Sequence, residues 1–178
     1  MSMLHLRRVL MSVAISGLIV GLTPQVGAHD DNQHQCRELA GPFSSVTVPV
    51  PPCTSPVGLC THGVLSGPMQ DASYDFTVNS LTPDPNNPSI VVATGKSVVT
   101  TKIGQMFTDD VSVMHFSGPA PTDPVNFVTT ATVNSGTKYW KSTSGQFVAT
   151  GVLVVATGQA VGDYTAKLCK NPDHHEDN

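Results

Sequence analysis

Asp109 and Asp110, followed shortly by His115, are the densest group of titratable side chains in the apolar part of this chain. A carboxylate and an imidazole that face one cavity can move a proton or hold a polar group of a substrate, because a pocket shifts their pKa values toward the working pH. The plainer alternative makes Thr108-Asp109-Asp110 a turn between strands and His115 an ordinary sheet residue. Asp75 is a further carboxylate beside aromatics: in Tyr74-Asp75-Phe76 it faces inward only if the two rings pack outward, and solvent is its simpler destination. Tyr139 and Trp140 form an aromatic step able to meet a ligand, although neighbours on a strand face opposite ways and at most one of them then lines a pocket. Asp75, Asp109, Asp110, His115, Tyr139 and Trp140 are therefore the candidate pocket residues.

Histidine supplies a second kind of chemistry. Cleavage after Ala28 makes His29 the first residue, and a terminal amine with its own imidazole is a two-nitrogen clamp for copper, completed by His34, His62 or His115. Copper-dependent polysaccharide oxidases use such a clamp on a secreted β scaffold. A looser zinc or copper site arises if His29-Asp30-Asp31 and His34 meet Asp173-His174-His175-Glu176-Asp177, and two solvated tails are the plain alternative. Rigid supports favour catalytic sites, and His29 sits among polar residues that promise none. There is no Gly-x-Ser-x-Gly, no phosphate-cradling glycine loop and no His-Glu-x-x-His, so hydrolysis, phosphoryl transfer and a bound cofactor have no motif behind them.

The elements that position these residues begin after an export signal. Arg7-Arg8, an apolar stretch from Val9 to Val20 and the small-residue pattern Val26-Gly27-Ala28 predict a signal peptide over residues 1–28, cleaved near Ala28. The paired arginines also suit a twin-arginine signal, and ordinary signals carry such pairs as well. No later segment has the ~20 consecutive apolar residues of a spanning helix, so a secreted, soluble product is expected. Of 178 residues, 150 then remain, the size of one domain. The signal holds two arginines and no acid, which leaves 7 basic against 13 acidic side chains, a poor balance for nucleic acid or anionic membranes.

All four cysteines, Cys36, Cys53, Cys60 and Cys169, lie in the mature part, and in an oxidising compartment two disulfides are the default. Three pairings exist. The short loop from Cys53 to Cys60 favours that local pair and leaves Cys36 with Cys169 to staple the two ends. A zinc site is the rival, but Cys-x6-Cys is not a usual ligand spacing.

Hydrophobic alternation has period two. In Tyr74-Asp75-Phe76-Thr77-Val78-Asn79 the residues Tyr74, Phe76 and Val78 share a face, as in a half-buried strand. Similar runs occupy Ser45–Val50, Ile90–Thr94, Ser97–Lys102, Val111–Phe116, Phe127–Val133, Phe147–Ala156 and Tyr164–Cys169. Turn chemistry separates them, at Gly67-Pro68, Pro83-Asp84-Pro85, Thr94-Gly95, Gly118-Pro119, Asn134-Ser135-Gly136, Ser144-Gly145 and Gly162-Asp163. Short strands so spaced predict an all-β, single-domain antiparallel sandwich or barrel. Gly151, inside a long run, suits a bulge or a barrel corner. The domain is placed at 44–169, after a polar lead-in over 29–43 and before a polar tail over 170–178. No exposed apolar stripe is visible from which a dimer or trimer would follow, and an oligomer stays open.

The segment Gly136-Thr137-Lys138-Tyr139-Trp140-Lys141-Ser142-Thr143-Ser144-Gly145 resembles the Gly-Thr-Gly-x-aromatic-x4-Gly segment of the allene oxide cyclase and dirigent barrels. Gly136, Thr137 and Gly145 match, Trp140 takes the aromatic position, and Lys138 replaces the middle glycine. Ser55-Pro56-Val57-Gly58-Leu59-Cys60-Thr61-His62-Gly63 looks like an opening segment of bacterial secreted proteins with this kind of barrel. The resemblance covers the last third of the chain well and the rest by strand order. It implies an antiparallel eight-stranded β-barrel, disulfide-stapled here, and in the plant families such barrels steer cyclisation or coupling of a small apolar substrate. The families' catalytic residues have no counterpart that aligns position by position. The expected function is to bind, or guide the reaction of, a small apolar molecule, with isomerase or cyclase chemistry if there is any. A secreted copper-binding protein using His29, and a structural or interaction protein of the cell surface, are the alternatives.

Overall fold

The structure is a computed structural model and describes residues 35–48 and 51–171. The expected signal peptide, His29, His34 and most of the polar tail lie outside the described residues.

Eight antiparallel strands close into one barrel in chain order: β1 (Gln35–Val48), β2 (Cys60–Leu65), β3 (Ala72–Pro83), β4 (Ile90–Thr101), β5 (Gly104–Phe116), β6 (Pro124–Gly136), β7 (Thr143–Val154) and β8 (Gln159–Lys170). The pairing of β1 with β8 removes both sheet edges. Two short 3-10 turns, Gly67–Met69 and Lys138–Trp140, are the helical elements among the described residues. Helix was not favoured anywhere by the period-two pattern, and strand formation followed it.

Up-and-down order sorts the connections onto two rims. The β1–β2, β3–β4, β5–β6 and β7–β8 connections share one rim, tied locally by the Cys53–Cys60 disulfide. The other rim holds the β2–β3, β4–β5 and β6–β7 connections and the Cys36–Cys169 disulfide, which joins residues directly opposite each other on β1 and β8. Both pairings are those the cysteine spacing favoured. Two disulfides suit an oxidising compartment.

Several boundaries differ from expectation. The barrel starts at Gln35 rather than after a lead-in to residue 43, because the first half of β1 pairs residue by residue with β8 from Gln35 opposite Lys170 onward. Its polar residues escape notice because that half lies at an open rim. Lys170 is likewise in β8 and not in the tail. Gly95 is no turn: β4 runs through it, and the Phe76 ring occupies the space beside it, Cε2 standing 2.5 Å from where a Cβ would be. Gly151 is neither bulge nor corner, since its pairing with Phe127 and Gly162 is continuous; it makes room for the rings of Phe43 and Phe127. The true irregularities leave Asn79 of β3 and Asn134 of β6 as extra residues.

Inward side chains fill the half of the barrel nearer the Cys36–Cys169 disulfide. Leu65, Met69, Val99, Met106, Val133, Phe147, Tyr164 and Leu168 belong to one buried cluster, and the Tyr164 hydroxyl donates to the Ser66 carbonyl at 2.7 Å. Outside, Val113 pairs with Val128 and Val152 with Val161, and together with Val46 and Val111 these valines are exposed. An apolar band therefore does exist on the surface. It arises from pairing between strands, which a linear pattern conceals.

Candidate functional site

Above the packed half the interior opens into a cavity of about 140 Å³. Its walls are apolar: Phe43, Phe76, Val78, Ala93, Met114, Phe127, Phe147 and Leu153 all line it. Asp110 pairs across the sheet with Gly95 on β4 and Ala131 on β6, whose small size leaves room for its carboxyl and, beside Gly95, for the Phe76 ring.

A polar stripe crosses one wall, through Ser97 of β4, Thr108, Asp110 and Ser112 of β5, and Thr129 of β6, and Ser45, Thr47 and Thr61 line another from β1 and β2. Asp110 is 4% exposed. The Ser97 hydroxyl donates to its Oδ2 and the Thr108 hydroxyl to its Oδ1, while Thr129 donates to Ser112 at 2.8 Å. Burial raises the Asp110 pKa above the ordinary carboxyl value; the two hydroxyls oppose that shift and the charge of Asp109 adds to it. The Tyr74 phenol, which also lines the cavity, is raised as well, first by burial and then by the Asp110 charge, against a hydrogen bond with Ser45. The arrangement can keep a carboxyl protonated to higher pH than water would, and can offer a ligand either a donor or an acceptor.

The other candidate residues go elsewhere. Thr108 to Asp110 is mid-strand in β5 and not a turn, so consecutive residues point oppositely: Asp110 inward, Asp109 outward to within 3.7 Å of Lys96 and 3.0 Å of the Asn134 amide. By the same alternation Met114 lines the cavity and His115 does not. Tyr74 and Phe76 face inward, which sends Asp75 outside, where its Oδ1 meets His62 Nδ1 at 2.7 Å. Tyr139 and Trp140 lie in the 3-10 turn at the Cys36–Cys169 rim, on a second cavity. The candidate pocket thus separates into one interior carboxyl, three outward groups and two rim aromatics.

The second cavity, of about 310 Å³, is bordered by Arg37, Lys102, Met69, Tyr139, Trp140, Thr143, Leu168 and Lys170 among others. The turn that carries its aromatics is held by Trp140 Nε1 donating to Thr101 Oγ1 at 2.8 Å and by Tyr139 N donating to the Ile103 carbonyl at 3.2 Å. Lys138, which stands where the resembling segment has glycine, has φ +51°, the left-handed region in which glycine is at ease.

Among the described residues no three or more of His, Cys, Asp and Glu converge as a metal would require. His62 on β2 and His115 on β5 are separated by β3 and β4. No helix among the described residues is long and apolar enough to cross a membrane. Comparison with protein-family models, curated proteins and solved structures returned no match.

Sequence reasoning missed the hydroxyls of Ser97, Thr108, Ser112 and Thr129 because serine and threonine are ordinary strand residues. The phase that Thr108 and Ser112 share with Asp110 on β5 was the available signal, and Ser97 and Thr129 join them only through strand register.

Proposed function

We propose that this protein is an exported barrel that binds a small, largely apolar molecule of about one ring, with one polar group turned toward Asp110. The observation that carries this is the interior cavity with apolar walls and a single buried carboxyl. Its volume of about 140 Å³ is close to that of an engineered apolar cavity of ~150 Å³ that holds benzene. Apolar walls supply binding free energy, and the few polar groups orient the ligand. The export pattern over residues 1–28 and the two disulfides support secretion.

The closed eight-stranded barrel and the left-handed backbone at Lys138 support a likeness to the allene oxide cyclase and dirigent group. In this reading the barrel first excludes water and fixes the ligand's orientation. If the ligand reacts, Asp110 is the group able to pass it a proton, held ready by Ser97 and Thr108, and the chemistry is isomerisation or cyclisation. Binding without reaction uses the same geometry.

Native mass spectrometry of the exported protein, followed by unfolding in the instrument, tests the reading. A ring-sized organic mass lost on unfolding is expected, and added phenol should raise Tm. Ala131→Phe, which projects a ring into the cavity beside Asp110, should remove both effects. A bare mass in a protein whose Tm responds to neither phenol nor toluene would overturn the proposal.

A further inference from the structure

We propose that the Cys36–Cys169 rim carries a second, separate site, which takes an organic monocarboxylate with a flat apolar body of about two fused rings. The volume sets the size: at about 310 Å³ the cavity is roughly twice the ~150 Å³ that encloses one benzene ring. Met69 and Leu168 are buried and give it an apolar floor. Tyr139 and Trp140 meet edge to face at 5.0 Å and give it an aromatic wall.

Charge sets the sign. The whole chain is acidic, at a formal −4, yet Arg37, Lys102 and Lys170 border this cavity and no carboxylate does among its described lining residues. None of the three pairs with a carboxylate among the described residues, whereas Lys96 does so on the outer wall. Lys170 Nζ sits 3.8 Å from the centre of the Tyr139 ring, which holds that cation at the aromatic wall.

A buried hydroxyl supplies the independent observation. Thr143, a lining residue, is 6% exposed, and its Oγ1 has no hydrogen-bond partner. Buried polar atoms are normally paired. A carboxylate oxygen in the cavity gives this hydroxyl an acceptor while the three cations offset the charge, so the donor set fits an anion and leaves the apolar body against Trp140.

The chain contains one tryptophan, so its indole N–H gives one signal in a 15N–1H spectrum and reports directly on this wall. Titration with 2-naphthoate should shift the Trp140 signal saturably, and 2-naphthamide, of the same shape without the charge, should bind at least tenfold more weakly. Replacing Arg37, Lys102 and Lys170 together by glutamine should weaken 2-naphthoate at least tenfold. Thr143→Val should weaken it several-fold with Tm unchanged or higher, because the free protein loses an unpaired hydroxyl and no bond. Ala131→Phe in the interior cavity should leave this titration unchanged even where it abolishes phenol binding, which keeps the two sites' tests apart. An unmoved indole signal, equal response to the amide, or undiminished binding in either the triple variant or Thr143→Val would overturn the site.

Discussion

Replacing Asp110 by asparagine should change how stability depends on pH and leave the fold intact. The side chain keeps its shape, and the hydroxyls of Ser97 and Thr108 can rotate, one donating to the amide oxygen and the other accepting from the amide nitrogen. In the parent, burial holds the folded carboxyl above its ordinary value of 3.8. Below that value both folded and unfolded chains are protonated at Asp110, and the raised pKa takes nothing from stability. Between it and the higher folded pKa the folded state keeps a proton that the unfolded chain has released, so parental stability falls as pH rises, by at most about 1.4 kcal/mol per pH unit for one proton. Above the folded pKa the full deficit remains. Asparagine carries no such deficit, so its stability relative to the parent should climb through that window and then level. Asp110→Ala is the contrasting perturbation: it strands two buried hydroxyls, at a cost of about 1–3 kcal/mol each, so its curve should climb against the parent through the same window but from a lower level. Urea denaturation of the three proteins at half-unit steps from about pH 3.5 to 8 measures all of this, with slopes taken from linear extrapolation. Parallel curves for parent and Asp110→Asn, or a parent that gains on the variant as pH rises, would refute the argument.

Lys138→Gly should stabilise the barrel by about 1 kcal/mol, seen as a raised urea midpoint, because a left-handed residue with a Cβ costs about 1–2 kcal/mol and glycine's greater unfolded freedom returns part of it. Gly95→Ala should lower stability by about 1–3 kcal/mol, since the new methyl meets the Phe76 ring and the Thr77 carbonyl; an unchanged midpoint would mean that the ring does not pack there. Replacing Cys36 and Cys169 by serine should cost up to ~5 kcal/mol and replacing Cys53 and Cys60 up to ~2.5 kcal/mol, because the first pair closes a loop of 133 residues and the second one of 7; denaturation that ranks them the other way would contradict the loop-closure account.

Local chemistry was enough to read the class of this fold. Alternation such as Tyr74-Asp75-Phe76 is a property of consecutive residues, so strands were legible one segment at a time, while their punctuation was not: Thr94-Gly95, Ser144-Gly145 and Gly162-Asp163 have turn composition and lie inside β4, β7 and β8. Both disulfides followed from even cysteine count and one short loop. Barrel closure itself rests on β1 meeting β8, a contact between the two ends of the domain that no window of residues contains; the expected Cys36–Cys169 staple and the resemblance of the Gly136–Gly145 segment were what pointed to it.

The site was legible only as a list of chemically able residues. Which of Asp109 and Asp110 faces the interior depends on the phase of β5, and a shift by one residue exchanges them. A linear pattern reports the period of a strand and misleads about its phase where the apolar residues face outward, as Val111 and Val113 do while Ser112 between them faces the interior. Glycines mislead for a related reason. Gly95 and Gly151 read as breaks by composition, yet each is a gap that a ring from another strand fills, and that partner is set by register alone. The sequence by itself determined that this chain makes amphipathic strands, stapled by two disulfides behind an export pattern. Tertiary structure decided that one carboxyl is taken into an apolar cavity and that three cations gather with two aromatics at the opposite rim, because cavity walls and charge clusters are assembled from residues that only strand register brings together.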